Sequence, residues 1–146
     1  MGATLSLCWF RPDRVWFAHI GDSRVYYLPH EGGMSQLTHD HTYPGWLRRQ
    51  GKLNEREARN HPRRNALSQA LGAAHHFLSP HIGAVRCQEG DRLVLCTDGV
   101  TDGLWDRQIA ELVREAGEGD AAPALVRAAV ENSGRDNCTA LVVELA

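Results

Sequence analysis

The sequence predicts an α+β fold, antiparallel strands flanked by helices, on the strength of three observations. The first forty residues are short runs rich in β-branched and aromatic side chains, broken by turn clusters. After Asp106 the apolar spacing becomes helical, with Ile109, Leu112 and Val113 on one stripe. The chain then closes on a nearly unbroken apolar strand, Cys138 to Leu145, which calls for cover on both faces. Sheets that need covering and helices able to cover them make an α+β domain. With 146 residues, 42% hydrophobic and 23% charged, the chain is sized for one domain, residues 1–146, with a real core.

Element by element, Ala3 to Phe10 reads as a strand, Arg11-Pro12-Asp13-Arg14 as a turn and Val15 to Ile20 as the returning strand. Gly21-Asp22-Ser23 interrupts, Arg24 to Leu28 resumes, and Glu31-Gly32-Gly33 turns again before Met34 to Leu37, which together predict an antiparallel meander. From Tyr43 to about Asn60 the pattern is helical and charged, closed by Pro62. His81 to Cys87 and Asp91 to Thr97 read as a hairpin turning at Gln88-Glu89-Gly90. The helix that starts after Asp106 ends at Gly117-Glu118-Gly119. Asp120 then caps a second helix, whose apolar face is Leu125, Val126, Ala129 and Val130. Gly134-Arg135-Asp136-Asn137 turns into the last strand.

Composition removes several functions. Sixteen Lys and Arg against eighteen Asp and Glu give a net charge of -2 without a basic stripe, which argues against nucleic acid. No apolar run has the length of a membrane helix, and Met1-Gly2-Ala3-Thr4 lacks the basic start of a secretion signal, so a cytoplasmic protein is expected. Cys8, Cys87, Cys96 and Cys138 form no paired motif and read as buried reduced thiols. His39 with His41, and His75 with His76, lack further partners at metal-ligand spacing and read as polar loop residues. A phosphate-cradling P-loop, a Gly-x-Ser-x-Gly elbow and a Cys-x5-Arg loop are all missing, which disfavours nucleotide-dependent phosphoryl transfer and covalent catalysis.

The most informative stretch is Arg92 to Leu104, RLVLCTDGVTDGL, where an apolar strand runs out onto Asp98 beside Gly99. If that strand pairs antiparallel with Cys138 to Leu145, Asp98 comes to lie beside Asp136. Two facing carboxylates repel unless a cation or proton stands between them, and oxygen donors of this kind suit Mg²⁺ or Mn²⁺. Gly99 and Gly103 would let the backbone turn tightly next to the ion. Either aspartate alone reads as turn chemistry, so the pair carries the expectation.

The motifs HIGDSRVYYL, LTHDHT, HPRRNALSQALG, GDRLVLCTDGVTDGL and GRDNCTALVVEL occur here in that order. Together they resemble the metal-dependent protein serine/threonine phosphatases of the PP2C (PPM) family, bacterial branch, from Gly2 to the last strand. The resemblance implies a PP2C-like β-sandwich of antiparallel sheets flanked by helices, and hydrolysis of phosphoserine and phosphothreonine in proteins at a dinuclear Mn²⁺ or Mg²⁺ centre. It makes Asp98 and Asp136 metal ligands. It matches Asp22 to the site of a third, weaker ion, where the residues alone offer a turn between hairpin strands instead. Ser23 and Arg24 read as structural, Asn137 as orienting Asp136, and Asp40 to Asn65 as the family's mobile flap at the mouth of the site.

The family's Asp-Gly-x-Gly-Gly segment and the helix after it have no counterpart here, so the resemblance implies a domain truncated at its N-terminus. The missing portion carries the other metal-binding aspartate and a phosphate-binding arginine, so weak or no activity is expected of the chain alone. Uncovered sheet edges predict a homodimer or an exchange of elements between copies. The alternatives are a non-catalytic regulatory or interaction module on the same scaffold, and a sporulation- or sensor-type phosphatase of the same superfamily.

Overall fold

Two antiparallel sheets packed face to face, with helices on the outer side of one of them, make up the computed structural model, which describes residues 2–72, 77–116 and 119–146. The strands are β1 Gly2–Ala3, β2 Leu5–Arg11, β3 Arg14–Ile20, β4 Arg24–Leu28, β5 Ser35–Gln36, β6 Leu71–Gly72, β7 His81–Arg86, β8 Arg92–Cys96 and β9 Ala140–Glu144. The helices are α1 Tyr43–Arg49, α2 Glu55–Arg59, α3 Asp98–Gly103, α4 Asp106–Glu115 and α5 Ala121–Asn132. The α+β architecture expected from the sequence is the one observed. His75, His76, Gly117 and Glu118, which figured in the sequence reading, lie outside the described residues.

One sheet has the order β2-β3-β7 and the other β5-β4-β8-β9, while β1 and β6 form a separate two-stranded ribbon. Between the sheets lie Val15, Val25 and Leu93, all fully buried. On the far side of the second sheet Tyr26, Val94 and Cys96 meet Ile109 and Val113 of α4 and Leu125 and Ala129 of α5. These helical residues fall on the predicted stripes, because burying one apolar face is what holds an amphipathic helix in place. Val130 is the exception and stands in solvent.

Two strand connections differ from expectation for one reason. The β2–β3 hairpin is as predicted, with Arg11 opposite Arg14. β4, however, leaves the meander and pairs with β5 and β8 in the other sheet, so Gly21-Asp22-Ser23 is a crossing between sheets. Gly21 has φ of +112°, and a Cβ there would stand 2.3 Å from the Thr4 side chain, so the crossing admits glycine only. Likewise β7 pairs with β3 while β8 pairs with β4 and β9, which replaces the predicted 81–97 hairpin by a second crossing. Asp91 shapes that crossing. Its carboxylate is fully buried and accepts from the Gln88 N–H (2.8 Å), the His30 N–H (2.8 Å) and the Tyr27 hydroxyl (2.6 Å). Burial works against charge on Asp91, and these three donors outweigh it and hold the carboxyl below its usual range.

The single helix predicted from Tyr43 to Asn60 is two short ones. Gly51, at φ +68°, ends the first, and Asn54 opens the second by exchanging bonds with Glu57 in a capping box. Asp120 stands at the N-cap of α5 as expected, but its side chain makes no cap bond. β9 is an edge strand rather than one covered on both faces: Val142 packs under the helices while Leu141 is 54% exposed.

Candidate metal centre

The pairing of β8 with β9 is what gathers the carboxylates. Cys96 lies opposite Ala140, and the ladder continues one step further through the Thr97 N–H to the Thr139 carbonyl, 3.1 Å. The Thr97 hydroxyl accepts from the Thr139 N–H at 3.0 Å and reaches the Asn137 carbonyl at 3.4 Å, so the ends of the two strands are locked together. Asp98 follows directly and opens α3, a helix the sequence reading had taken for a turn. Asp136 sits on the exposed loop before β9, where its Oδ1 accepts from the Asn137 N–H at 2.7 Å. Asn137 therefore orients Asp136 through its backbone.

Gly99 and Gly103 are not turn residues. Both lie inside α3, where a Cβ on Gly99 would stand 2.3 Å from the Asn137 carbonyl oxygen and one on Gly103 would stand 2.4 Å from that of Ala129. Their smallness lets α3 press against the Asp136 loop and α5, which is a packing requirement rather than a dihedral one.

Asp98 and Asp22 line the same cleft, with Asp40 and Asp102 beside them. Burial raises the Asp98 carboxyl above its usual range, and the charges of Asp136 and Asp102 raise it further. The Asp22 carboxyl is pushed up to about 6, first by burial and then by Asp98 and Asp40. Asp22 thus belongs to the electrostatic cluster and stands at the crossing between sheets, not in a hairpin turn. Such mutual repulsion among oxygen donors fits a hard divalent cation such as Mn²⁺ or Mg²⁺. Among the described residues, no group of three or more His, Cys, Asp or Glu side chains converges closely enough to enclose a metal.

A half-buried ion network supports the cleft from below, and only Arg24 of it was read as structural from the sequence. Arg24 forks onto Asp40, with Nη2 to Oδ2 at 2.7 Å and Nε to Oδ1 at 3.0 Å, and donates from Nη1 to the Tyr26 hydroxyl at 2.9 Å. Tyr26 in turn donates to Asp106 Oδ1 at 2.7 Å, and Arg48 of α1 reaches Asp106 Oδ2 at 2.9 Å. Burial disfavours charge on Asp106, yet the Tyr26 hydroxyl, Arg24 and Arg48 together hold its carboxyl below the usual range. α2 joins through Glu55, which accepts from the Asp106 N–H at 3.1 Å. The segment that resembles a flap is thereby tied to β4 and α4. An isolated Asp at a helix start carries no signal of such a role.

The profile of the family described as Protein phosphatase 2C matches residues 1–130. The chain belongs to the protein phosphatase 2C family. Among its relatives, the serine/threonine protein phosphatase PstP of Mycobacterium tuberculosis is 34% identical over 145 residues, covering 99% of this chain and 28% of the relative. The protein phosphatase PhpP of Streptococcus pneumoniae is 34% identical over 146 residues, covering 99% of this chain and 58% of PhpP. The crystal structure of Mycobacterium tuberculosis PstP/Ppp superposes with a TM-score of 0.88 at 34% identity, over 99% of this chain and 60% of that one. A PstP catalytic domain in complex with two manganese ions superposes with a TM-score of 0.84 at 32% identity, over 99% and 59%. This PP2C chain therefore spans well under two thirds of the length of these relatives.

Proposed function

We propose that this chain is the greater part of a PP2C phosphatase domain that hydrolyses phosphoserine and phosphothreonine in proteins. Asp98 and Asp136 are then ligands of a Mn²⁺ or Mg²⁺ centre, and Asp22 serves a third ion. The observation that carries this reading is the raised carboxyl of Asp98, set in a cleft with Asp22 and beside the charge of Asp136. When bound, divalent ions supply a hydroxide-like water near neutral pH and neutralise phosphoryl oxygens. The chain's own part is to hold the carboxylates in place: the Thr97 lock sets the strand ends, and the Gly99 N–H partly offsets the burial that disfavours charge on Asp98. Arg64, 3.6 Å from Asp102, stands on the cleft wall.

The cleft of this chain alone should bind Mn²⁺ weakly, because few oxygen ligands converge on it among the described residues. Titration followed by the electron paramagnetic resonance of free Mn²⁺ checks this. Asp98→Asn and Asp136→Asn should each abolish the binding, and p-nitrophenyl phosphate hydrolysis by the wild-type chain should be slow at best. Mn²⁺ binding that survives both substitutions would refute the ligand assignment. Complete lack of Mn²⁺ binding would favour the second reading, a non-catalytic module on the same scaffold, which rests on the absence of an enclosing ligand group among the described residues.

The phosphatase reading also carries the expectations on partners and location. Cys8, Cys87, Cys96 and Cys138 are all free thiols, and no helix among the described residues is long and apolar enough to cross a membrane, which agrees with work on phosphoproteins in the cytoplasm. The outer face of the β2-β3-β7 sheet presents Leu7, Trp9, Trp16 and Ile82 at 58%, 61%, 43% and 65% exposure. A contiguous apolar face of this kind should drive the isolated chain to self-associate. Light scattering across a concentration series is expected to show dimers or larger species, and a monodisperse monomer at high concentration would refute it.

A further inference from the structure

A second hollow adjoins the carboxylate cleft and has the opposite electrostatic character. It runs between the end of the flap-like segment, α3 and the loop after α5, and it is lined by Arg59, His61, Arg64, Trp105, Asn132 and Arg135. Arg59, Arg64 and Asp102 line both hollows, so the two are adjacent. The cleft is small, about 60 Å³, whereas the groove measures about 760 Å³, within the roughly 300–1,000 Å³ typical of ligand sites. Its walls carry three arginines and one carboxylate, Asp102, and Arg59 is also paired with Glu55 at 3.4 Å.

The arginines are presented in different ways. Arg59 is held rigid, its guanidinium 3.7 Å above the Trp105 ring and donating to the Leu104 carbonyl at 2.6 Å. Arg64 is anchored at one side only, by Asp102 at 3.6 Å and by Asn65 Oδ1 at 3.1 Å. Arg135 is exposed next to Asp136, and no ion pair among the described residues engages it. A wall rich in arginine donors, with Arg135 uncompensated among the described residues, complements carboxylates and peptide carbonyls.

We propose that this groove binds an acidic stretch of the protein substrate adjoining its phosphorylated residue, a specificity that rests on the phosphatase reading of the cleft. The phosphorylated side chain would enter the cleft, and Glu or Asp residues beside it would lie along Arg64 and Arg135. Exposed ion pairs are individually weak, so the preference is moderate, about fivefold to tenfold for a flank of three acidic residues. It weakens as salt screens the charges.

Fluorescence anisotropy at low salt with labelled threonine peptides tests the groove separately from the chemistry. The peptides differ only in carrying three Glu or three Gln on each side of the threonine, and each is used with and without the phosphate. The Glu peptides are expected to bind about fivefold to tenfold tighter than the Gln peptides in both forms, and Arg135→Glu should bring the ratio close to one. Arg135→Gln, milder at an exposed loop position, should give an intermediate ratio, with circular dichroism confirming the fold. Equal affinities for Glu and Gln peptides, or a ratio unchanged in Arg135→Glu, would overturn the proposal. A Glu preference that persists when Mn²⁺ binding fails would leave the groove standing while the metal reading falls.

Discussion

Replacing Arg24 by Met is expected to lower the stability of the fold by about 3–5 kcal/mol in urea unfolding, the cost typical of removing one partner from a buried ion pair. The side chain is 14% exposed and serves Asp40, Tyr26 and Asp106 at once, so its loss leaves two carboxylates short of their countercharge. Arg48 retains Asp106 and Gln36 retains Asp40, which keeps the effect short of unfolding the chain outright. The double variant Arg24→Met/Asp40→Leu should lose less than the sum of the two single changes, because the second substitution removes the charge that the first one stranded. Strict additivity would show that the network is not coupled. Amide exchange should also quicken across α1 and α2, which reach the sheet through Arg48 and Glu55.

That network marks the boundary of what the sequence disclosed. The pairing of β8 with β9, which sets Asp98 and Asp136 at the same end of the two strands, was legible because it follows from two strands, one register and chain direction, all of them visible in apolar runs and turn residues. The stripes of α4 and α5 were legible for the same kind of reason. The sheet to which each strand belongs was not. β3 and β4, and β7 and β8, are neighbours in sequence with turn-like connections between them, yet each pair divides between the two sheets. Little that is local separates a crossing from a hairpin: Gly21 is required by the approach of Thr4, and Asp91 is held by the distant Tyr27 hydroxyl and His30 N–H together with the nearby Gln88 N–H. The basic groove was hidden likewise, since Arg59, Arg64 and Arg135 are dispersed in sequence and meet only in the fold. The histidines show the same limit. His39 and His41 read as polar loop residues, whereas the structure stacks His39 on His81, with ring centroids 3.7 Å apart, and His41 on His19, at 5.4 Å.

The four histidines make stability fall as the pH drops from about 6.5 toward 4, a window above that of ordinary acid unfolding. The hydrogen bonds at His41 and His81 need neutral rings. The Gly21 N–H donates to His41 Nδ1 at 3.0 Å and the His39 N–H donates to His81 Nδ1 at 3.2 Å, so neither nitrogen can carry a proton. His19 Nε2 donates to the Gly21 carbonyl at 2.9 Å, and in the neutral ring its Nδ1 accepts from the Ser6 hydroxyl, also at 2.9 Å. Burial lowers all four rings, and they lower one another, with Arg49 adding to the effect and Asp40 opposing it at His19 and His39. His41 comes down to about 4 from 6.5. A base with a depressed folded value takes up its proton in the unfolded chain first, so the folded state loses stability from about pH 6.5 downward, with solvent screening at the half-exposed His41 ring moderating its share. Asp22, raised to about 6, acts in the opposite direction over the same range, since the folded chain binds its proton more readily. The comparison that isolates the imidazole is therefore wild type against His41→Gln, whose amide oxygen can accept the Gly21 N–H without titrating. Urea unfolding at pH 7 and pH 5 should show a drop for wild type that is smaller by about 1–2 kcal/mol in His41→Gln. Equal drops in the two proteins would mean that His41 already carries its proton in the folded state, and that the Gly21 bond does not hold the ring neutral.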